Sequence, residues 1–488
     1  MRKVHDIPPE SAERWPHQTA LVDGLERIYY HQFLRHVRNI RARLLQIGAG
    51  PGTGIGLLMR DSATFMVCAF ACMDCGATVL PLSNRLKRAQ LENMFDTCLP
   101  HALIEDGTGP HVLDAFSNLV ETPGLSPVRF SWTGFSRHRP FTGHVPDPAL
   151  MAFTSGVTGQ PKGVVLSHTS AMERIEAVDA LLDIDSHDTI LYALPMAHHF
   201  WSTILLFLHK GAQTILCPGI SAEDLLQLAW KNQATRIFAP PNLIKAMAYD
   251  YSGEDMVGTL VGVYCLGGPL SETVTSRFMV RYNMPVSQAY DSVEAGLPLI
   301  NTSLPEDIPV SVGQPDRNWS IGIFGENGNP LRDGVAGELG LRGPGLFTAY
   351  RHPHRMREEV LRDGWYMTGD IAERDSENAI TILGRKSRRI KIDDTIIYPE
   401  QVEKELNALP VVRKSRVSLV SFPSNGEKGL QAEVVPLTPK SPPPPEDIVR
   451  YCRQFFSGAW TLRSVKLVES LPTTPCGKIL DRRRLKAR

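Results

Sequence analysis

Seven short apolar runs in the first 300 residues restrict the fold more than any other feature: GIGLLM, ATVLPL, HALIED, DTILYALP, AQTILCP, TRIFAPP and GVYCLGG. Each has strand length, and helix-length segments separate them. Strands linked by helical crossovers run parallel and are covered on both faces, so this region is predicted to be α/β with parallel sheets. From about Val310 the texture changes. SIGIFGENGNPLRDGVAGELGLRG sets Asn-Gly and Asp-Gly between short alternating runs, which reads as antiparallel hairpins. A third texture begins near Gly384, where GRKSRRIKIDDTIIYPEQVEKELNAL reads as a basic strand pair running into a helix. The Pro442–Pro445 run reads as a rigid loop before a helix starting near Glu446. The chain is therefore divided into a large N-terminal part, residues 1–384, and a small α+β part, residues 385–488, joined near Arg385–Ser387.

At 488 residues, with 42% hydrophobic and 21% charged residues, the chain is expected to hold more than one globular domain. A formal net charge of zero gives no global attraction to nucleic acid or anionic membrane. The N-terminal stretch has no apolar segment of the secretory kind, and TFMVCAFACM and WSTILLFL fall short of a membrane span. The expectation is a cytoplasmic enzyme, a monomer or a homodimer. Cys68, Cys72 and Cys75 have a C-x3-C-x2-C spacing that an iron–sulfur site could use. The same spacing is i, i+4, i+7, one face of an amphipathic helix from about Ser62 to Cys75, and burial as small hydrophobes is the stronger reading.

TSGVTGQPKG, residues 154–163, combines three hydroxyls, three glycines and a lysine. Exposed N–H groups, hydroxyl donors and one cation suit a polyanion, most simply phosphate. A Walker A loop would need Gly and Lys adjacent at the start of a helix. Here Gln160 and Pro161 intervene, and Pro161 holds Gln160 out of the helical region. No G-x-G-x-x-G fingerprint is present either.

The loop resembles the phosphate loop of the adenylate-forming superfamily: acyl- and aryl-CoA synthetases, carrier-protein acyl ligases, peptide-synthetase adenylation domains and luciferases. FACMDCGATVLPLS, LPMAHHFW, YCLGGPLS, YDSVE, GELGLRGPGLFTAY, DGWYMTGD, GRKSRRIKI and PTTPCGKI resemble that family's other motifs, in its order, from about residue 28 to the C-terminus. The resemblance implies two parallel α/β subdomains and a small distorted β-barrel (about 305–384), followed by a mobile α+β C-terminal domain. It implies conversion of a carboxylic acid and ATP to acyl-AMP and pyrophosphate, then transfer to a pantetheine thiol.

The resemblance also implies roles for single residues. Thr154, Ser155, Gly156, Thr158, Gly159 and Lys162 would embrace the β- and γ-phosphates, with Thr154 and Lys162 acting in catalysis. Val157 replaces a usual hydroxyl residue. Glu294 would hold Mg2+, a hard cation suited to carboxylate and phosphate oxygens. Tyr290 would lie against adenine, with Asp291 and Gly268 beside the nucleotide. Asp291 stands at a usual glycine and Val293 at a usual threonine, whose lost donor is expected to slow adenylation. Asp370 would accept the ribose hydroxyls, and Arg385 would be the second ribose and phosphate contact. Lys478 would bridge the carboxylate and α-phosphate, and Ser387 stands at the hinge of domain rotation.

His198, Phe200, Trp201, Tyr264 and Gly267, with Gly268, are expected to line the acyl pocket. LPMAHHFW contains no acid to pair with an α-ammonium, so an aryl or medium apolar acid is expected rather than an α-amino acid. Asp393 and Asp394 stand where CoA ligases usually carry glycines for pantetheine passage. The basic cluster Arg385, Lys386, Arg388, Arg389 and Lys391 suits free CoA or the phosphopantetheine of an acidic acyl carrier protein. A non-catalytic binder of nucleotide or acyl-adenylate, supported by the substitutions at 291, 293, 393 and 394, is the alternative, with a luciferase-like oxygenase as a remote one.

Overall fold

The computed structural model describes residues 2–111, 117–134, 140–154, 162–250, 258–302, 310–315, 317–392, 395–422 and 427–472. Ser155, Gly156, Thr158, Gly159, Asp393, Asp394 and Lys478 lie outside the described residues.

All seven apolar runs are strands. Thr78–Ser83, Gly54–Met59 and Ala102–Glu105 lie parallel at the centre of a nine-stranded sheet. Gln213–Leu216, Thr189–Tyr192, Arg236–Ala239 and Gly262–Cys265 run parallel inside an eight-stranded sheet. Antiparallel strands close the edges: Gly296–Ile300 and Glu26–Tyr29 on the eight-stranded sheet, and Val128–Trp132 paired with Ser117–Val120 on the other. The parallel strands are buried along nearly their whole length, which explains their lack of polar alternation.

The cysteine helix runs Ala63–Asp74, with the Ser62 hydroxyl accepting the Phe65 N–H as its cap. The amphipathic face expected of this helix is absent. Every residue from Ala63 to Met73 is buried, so the helix is apolar all round and not amphipathic. It is covered by the helix Tyr30–Gln46 as well as by the sheet strands, which leaves no solvent face. Burial pushes the Cys68 and Cys75 thiols up to about 12 and 11, unsuited to thiolate ligation. Among the described residues no cluster of His, Cys, Asp or Glu could hold a metal ion.

Where hairpins are expected, Ser320–Phe324, Gly337–Arg342, Tyr366–Arg374 and Ile380–Arg385 form a four-stranded antiparallel sheet. Beyond it Ile390–Ile392 pairs with Thr395–Ile397, followed by the helix Pro399–Ala408. A three-stranded sheet, Val412–Ser421, Lys428–Pro436 and Leu462–Leu467, packs with the helix Pro445–Cys452. These elements share a core of their own around Val402, Leu406, Val417, Leu430 and Ile448. Their contacts with the larger part include a polar one: the Lys245 Nζ donates to the carbonyls of Asn407, Leu409 and Val412 at 2.7, 2.6 and 2.7 Å. Among the described residues, no helix is long and apolar enough to cross a membrane.

Candidate active site

Residues 154–163 connect two antiparallel strands, Pro148–Phe153 and Gly163–Ser167, not a strand and a helix. The base of the loop is closed by its own ends. Thr154 N–H donates to Lys162 O at 3.0 Å, and Lys162 N–H donates to the Thr154 hydroxyl at 3.3 Å. The Lys162 ammonium stands 4.8 Å from the ring centre of Tyr350. Tyr350 in turn donates its hydroxyl to Glu294 Oε1 at 3.2 Å. Two residues predicted separately, Lys162 and Glu294, thus meet through a tyrosine that the sequence reading left unassigned. Its signal was there: Tyr350 is the last residue of GELGLRGPGLFTAY.

Glu294 sits in the turn between Val286–Ser292 and Gly296–Ile300. The backbone around it is held tightly. Phe347 N–H donates to the Glu294 carbonyl at 2.7 Å, as does Arg174 from the helix His168–Leu182, also at 2.7 Å.

A second cluster forms the other side. Asp370 and Arg385, fifteen positions apart in the chain, are direct cross-strand partners of Tyr366–Arg374 and Ile380–Arg385. Arg385 Nε lies 2.7 Å from Asp370 Oδ1, and the Tyr290 hydroxyl donates to Asp370 Oδ2 at 2.6 Å. Asp370 is nearly buried, while half of this ion pair, the Arg385 side chain, is 36% exposed. Burial next to the Asp370 charge raises the Tyr290 phenol well above its ordinary value, so it remains a donor. A carboxylate accepts up to about four hydrogen bonds, so two partners leave capacity for ligand hydroxyls.

Asp291 behaves unlike its neighbour. Consecutive strand residues face opposite ways, and Asp291 turns from the Tyr290 cluster toward the segment His198–Trp201. Its Oδ1 accepts the Gly267 N–H at 3.1 Å, and its Oδ2 lies 3.3 Å from His199 Nδ1. Gly267 has φ +88°, and a Cβ there would come 3.7 Å from His199 Nε2. A further acid is close by. Asp61 accepts the Met196 N–H at 2.8 Å at the start of the short helix Met196–His199, and the His199 charge acts on its carboxylate. The sequence reading found no acid in LPMAHHFW; folding brings two acids to it from residues 61 and 291.

The remaining predicted pocket residues differ in their placement. Phe200 and Trp201 are buried, with Phe200 packed edge-on against Phe65. Tyr264 stacks on Phe238 at 4.6 Å, and its hydroxyl accepts from Arg236, itself paired with Asp188. Gly268 lies near Pro241. The basic cluster is largely neutralised within the chain. Lys386 pairs with Glu338 at 2.6 Å, Arg388 with Glu400 and Glu403 at 3.0 and 2.5 Å, and Arg389 with Glu326 at 2.5 Å. With Arg385 on Asp370, four of its five cations already have a carboxylate.

The chain is similar to several known proteins along most of its length. A feruloyl-CoA synthase from Amycolatopsis sp. is 28% identical over 97% of this chain and 96% of that one. An indoleacetate–CoA ligase from Aromatoleum aromaticum is 26% identical over 82% of each chain. The fold matches O-succinylbenzoate coenzyme A synthetase (MenE) from Bacillus subtilis in complex with AMP, with a TM-score of 0.82, 20% identity and 98% of both chains covered. ATP-bound MatB from Rhodopseudomonas palustris follows at a TM-score of 0.80 and 19% identity, over 100% of this chain and 99% of that one. The model of the AMP-binding enzyme family matches residues 9–351, a span that takes in Thr154, Lys162, Tyr290 and Glu294, and the chain is a member of that family.

Proposed function

We propose that the protein is an AMP-forming acid–thiol ligase: it joins a carboxylic acid to ATP as acyl-AMP, releasing pyrophosphate, and then passes the acyl group to the thiol of CoA. The observation that carries this reading is the convergence of Lys162, Tyr350 and Glu294 with the Tyr290–Asp370–Arg385 cluster, built on a fold shared with AMP- and ATP-bound proteins. The chemistry needs two anions brought together, and cations with fixed donors lower that repulsion most in the transition state.

Each residue has a part in this reading. Asp370 takes the ribose hydroxyls, and Arg385 neutralises Asp370 and reaches the phosphate side. Lys162, with Thr154, Ser155, Gly156, Thr158 and Gly159, holds the β- and γ-phosphates. Glu294 fits a hard cation: Tyr350 engages one of its oxygens, and among the described residues the other carries no hydrogen bond. Mg2+ bound there supplies positive charge against the phosphates. Residues 385–488 form the smaller domain, hinged at Ser387 inside the short 3-10 turn Lys386–Arg388, and bring in Lys478 for adenylation. Tyr290 and Gly268 border the nucleotide.

The acid lies against His198, His199 and Gly267, with Asp291 on the acyl side of the site. An aryl or medium-chain acid is the expected substrate, and relatives named for feruloyl and indoleacetate substrates support an aryl acid. CoA is favoured as acceptor by relatives named as CoA synthase and CoA ligase, while the internally paired basic cluster no longer argues for an acidic carrier protein. The test is release of AMP and pyrophosphate from ATP over a panel of aryl and medium-chain acids, followed by thioester analysis with CoA or a holo carrier protein. Acid-dependent AMP and a CoA thioester are expected. ATP binding without turnover of any acid would instead favour a non-catalytic binder.

A further inference from the structure

Arg174 is a charged side chain in the core, 2% exposed, in the helix His168–Leu182. Its Nε donates to the Gly345 carbonyl at 2.6 Å, and one terminal nitrogen donates to the carbonyls of Val293 and Glu294 at 2.9 and 2.7 Å. The other terminal nitrogen is buried without a hydrogen-bond partner among the described residues. The preceding residue, Glu173, accepts the Gly345 N–H at 2.8 Å, so adjacent side chains hold both polar groups of one glycine. The backbone is shaped around the arginine. A Cβ on Gly345, at φ +68°, would lie 2.5 Å from Arg174 Cγ, and one on Gly296, at φ +75°, 2.9 Å from Cδ.

A buried guanidinium whose partners are carbonyls rather than an acid is a poor stabiliser, because desolvation outweighs what neutral acceptors return. Burial accordingly draws its pKa down to about 9. What the planar fork does, and an apolar side chain does not, is tie separate backbone segments in fixed geometry. The segments concerned are the turn that carries Glu294 and the stretch from Gly345 toward Tyr350. Those two side chains meet at the Tyr350–Glu294 hydrogen bond, so both ends of that contact are anchored on Arg174.

We propose that Arg174 is a positioning residue: through the carbonyls of Val293, Glu294 and Gly345 it sets the Glu294 carboxylate for the metal ion that accompanies ATP. This rests on Glu294 being the metal-holding carboxylate. The test is calorimetric titration of ATP at increasing Mg2+, and of AMP in metal-free buffer, for the wild type, Arg174→Lys, Gly345→Ala and Glu294→Gln. Arg174 reaches these carbonyls from two nitrogens, Nε for Gly345 and one terminal nitrogen for Val293 and Glu294, an arrangement that a single ammonium does not reproduce. Arg174→Lys therefore raises the Mg2+ needed for half-maximal ATP binding by roughly tenfold or more, the factor carried by one hydrogen bond to a charged group. AMP binding changes by less than roughly threefold. Gly345→Ala, which pushes a methyl onto the arginine stem, shifts the Mg2+ requirement in the same direction. An unchanged Mg2+ requirement in Arg174→Lys, or an equal loss for ATP and metal-free AMP, would overturn the proposal and leave Arg174 a packing residue. If Glu294→Gln itself leaves the Mg2+ requirement unchanged, the underlying metal assignment fails, whatever Arg174 does.

Discussion

Lys245 offers the most quantitative handle on how the 399–412 segment is held. It projects from the helix Pro241–Tyr249 and donates to three carbonyls at the end of Pro399–Ala408 and just beyond it. Terminal helical carbonyls have no partner within their own helix, and a cation placed against them also opposes the helix dipole. Hydrogen bonds to a charged group contribute about 1.5–3 kcal/mol each, and water recovers part of that when a bond is lost at a half-open site. Lys245→Met should therefore weaken docking of the 399–412 segment by about 2–4 kcal/mol. The Tyr249 hydroxyl, 3.2 Å from the Ala408 carbonyl, holds part of the contact and prevents complete release. Hydrogen–deuterium exchange read by mass spectrometry gives the measure. Peptides covering 399–412 should exchange on the order of 30- to 1000-fold faster, while those from the parallel strands Gly54–Met59 and Thr189–Tyr192 stay protected. Lys245→Arg, which keeps the charge, should retain most of the protection. Equal exchange at 399–412 in wild type and Lys245→Met would refute the reasoning, because the three short contacts would then contribute nothing to docking.

Three further outcomes are expected. Asp370→Ala removes an acceptor for the ribose hydroxyls and should raise the KM for ATP on the order of 100-fold, with the KM for the acid nearly unchanged in steady-state assays. Asp291→Gly takes a carboxylate away from Gly267 and His199, and should improve kcat/KM for the bulkier acids of a panel by about tenfold while leaving the KM for ATP within about twofold. Glu400 is held up to about 7 by burial, against the opposing charge of Arg388. The folded chain therefore keeps a proton there between about pH 4.5 and 7 that the unfolded chain has released, and stability falls as pH rises through that window. Glu400→Gln should remove up to about 3 kcal/mol of that fall, seen as a flatter denaturation midpoint from pH 5 to 7.5.

The features legible in the sequence were those written locally. Aliphatic runs such as GIGLLM and DTILYALP identify buried strands because burial on both faces leaves no polar alternation to confuse the pattern. Asn-Gly and Asp-Gly mark hairpin turns because few residues take positive φ, and Gly328 and Gly334 do so here. What escaped depends on approach between distant segments. The acids beside His199 come from residues 61 and 291, and no window around LPMAHHFW contains them. The pairing that neutralises the basic cluster draws on Glu326, Glu338, Glu400 and Glu403, so the cluster looked open to partners when read alone. Arg174 did leave a trace: it falls on the same helix face as Ala171, Ile175 and Val178, a charge among apolar positions, which signals a buried cation with a task. The cysteine helix was placed correctly but given a solvent face, because a pattern that is apolar everywhere satisfies any chosen stripe.

The most direct measurement follows oxygen atoms. With a carboxylic acid labelled with 18O in both carboxyl oxygens, attack on the α-phosphorus of ATP followed by acyl transfer to CoA leaves one labelled oxygen in the AMP. Mass spectrometry should find AMP heavier by about 2 Da, in proportion to thioester formed, with unlabelled pyrophosphate. Label appearing in inorganic phosphate alongside ADP, or thioester formed with unlabelled AMP, would contradict the adenylate on which the account is built.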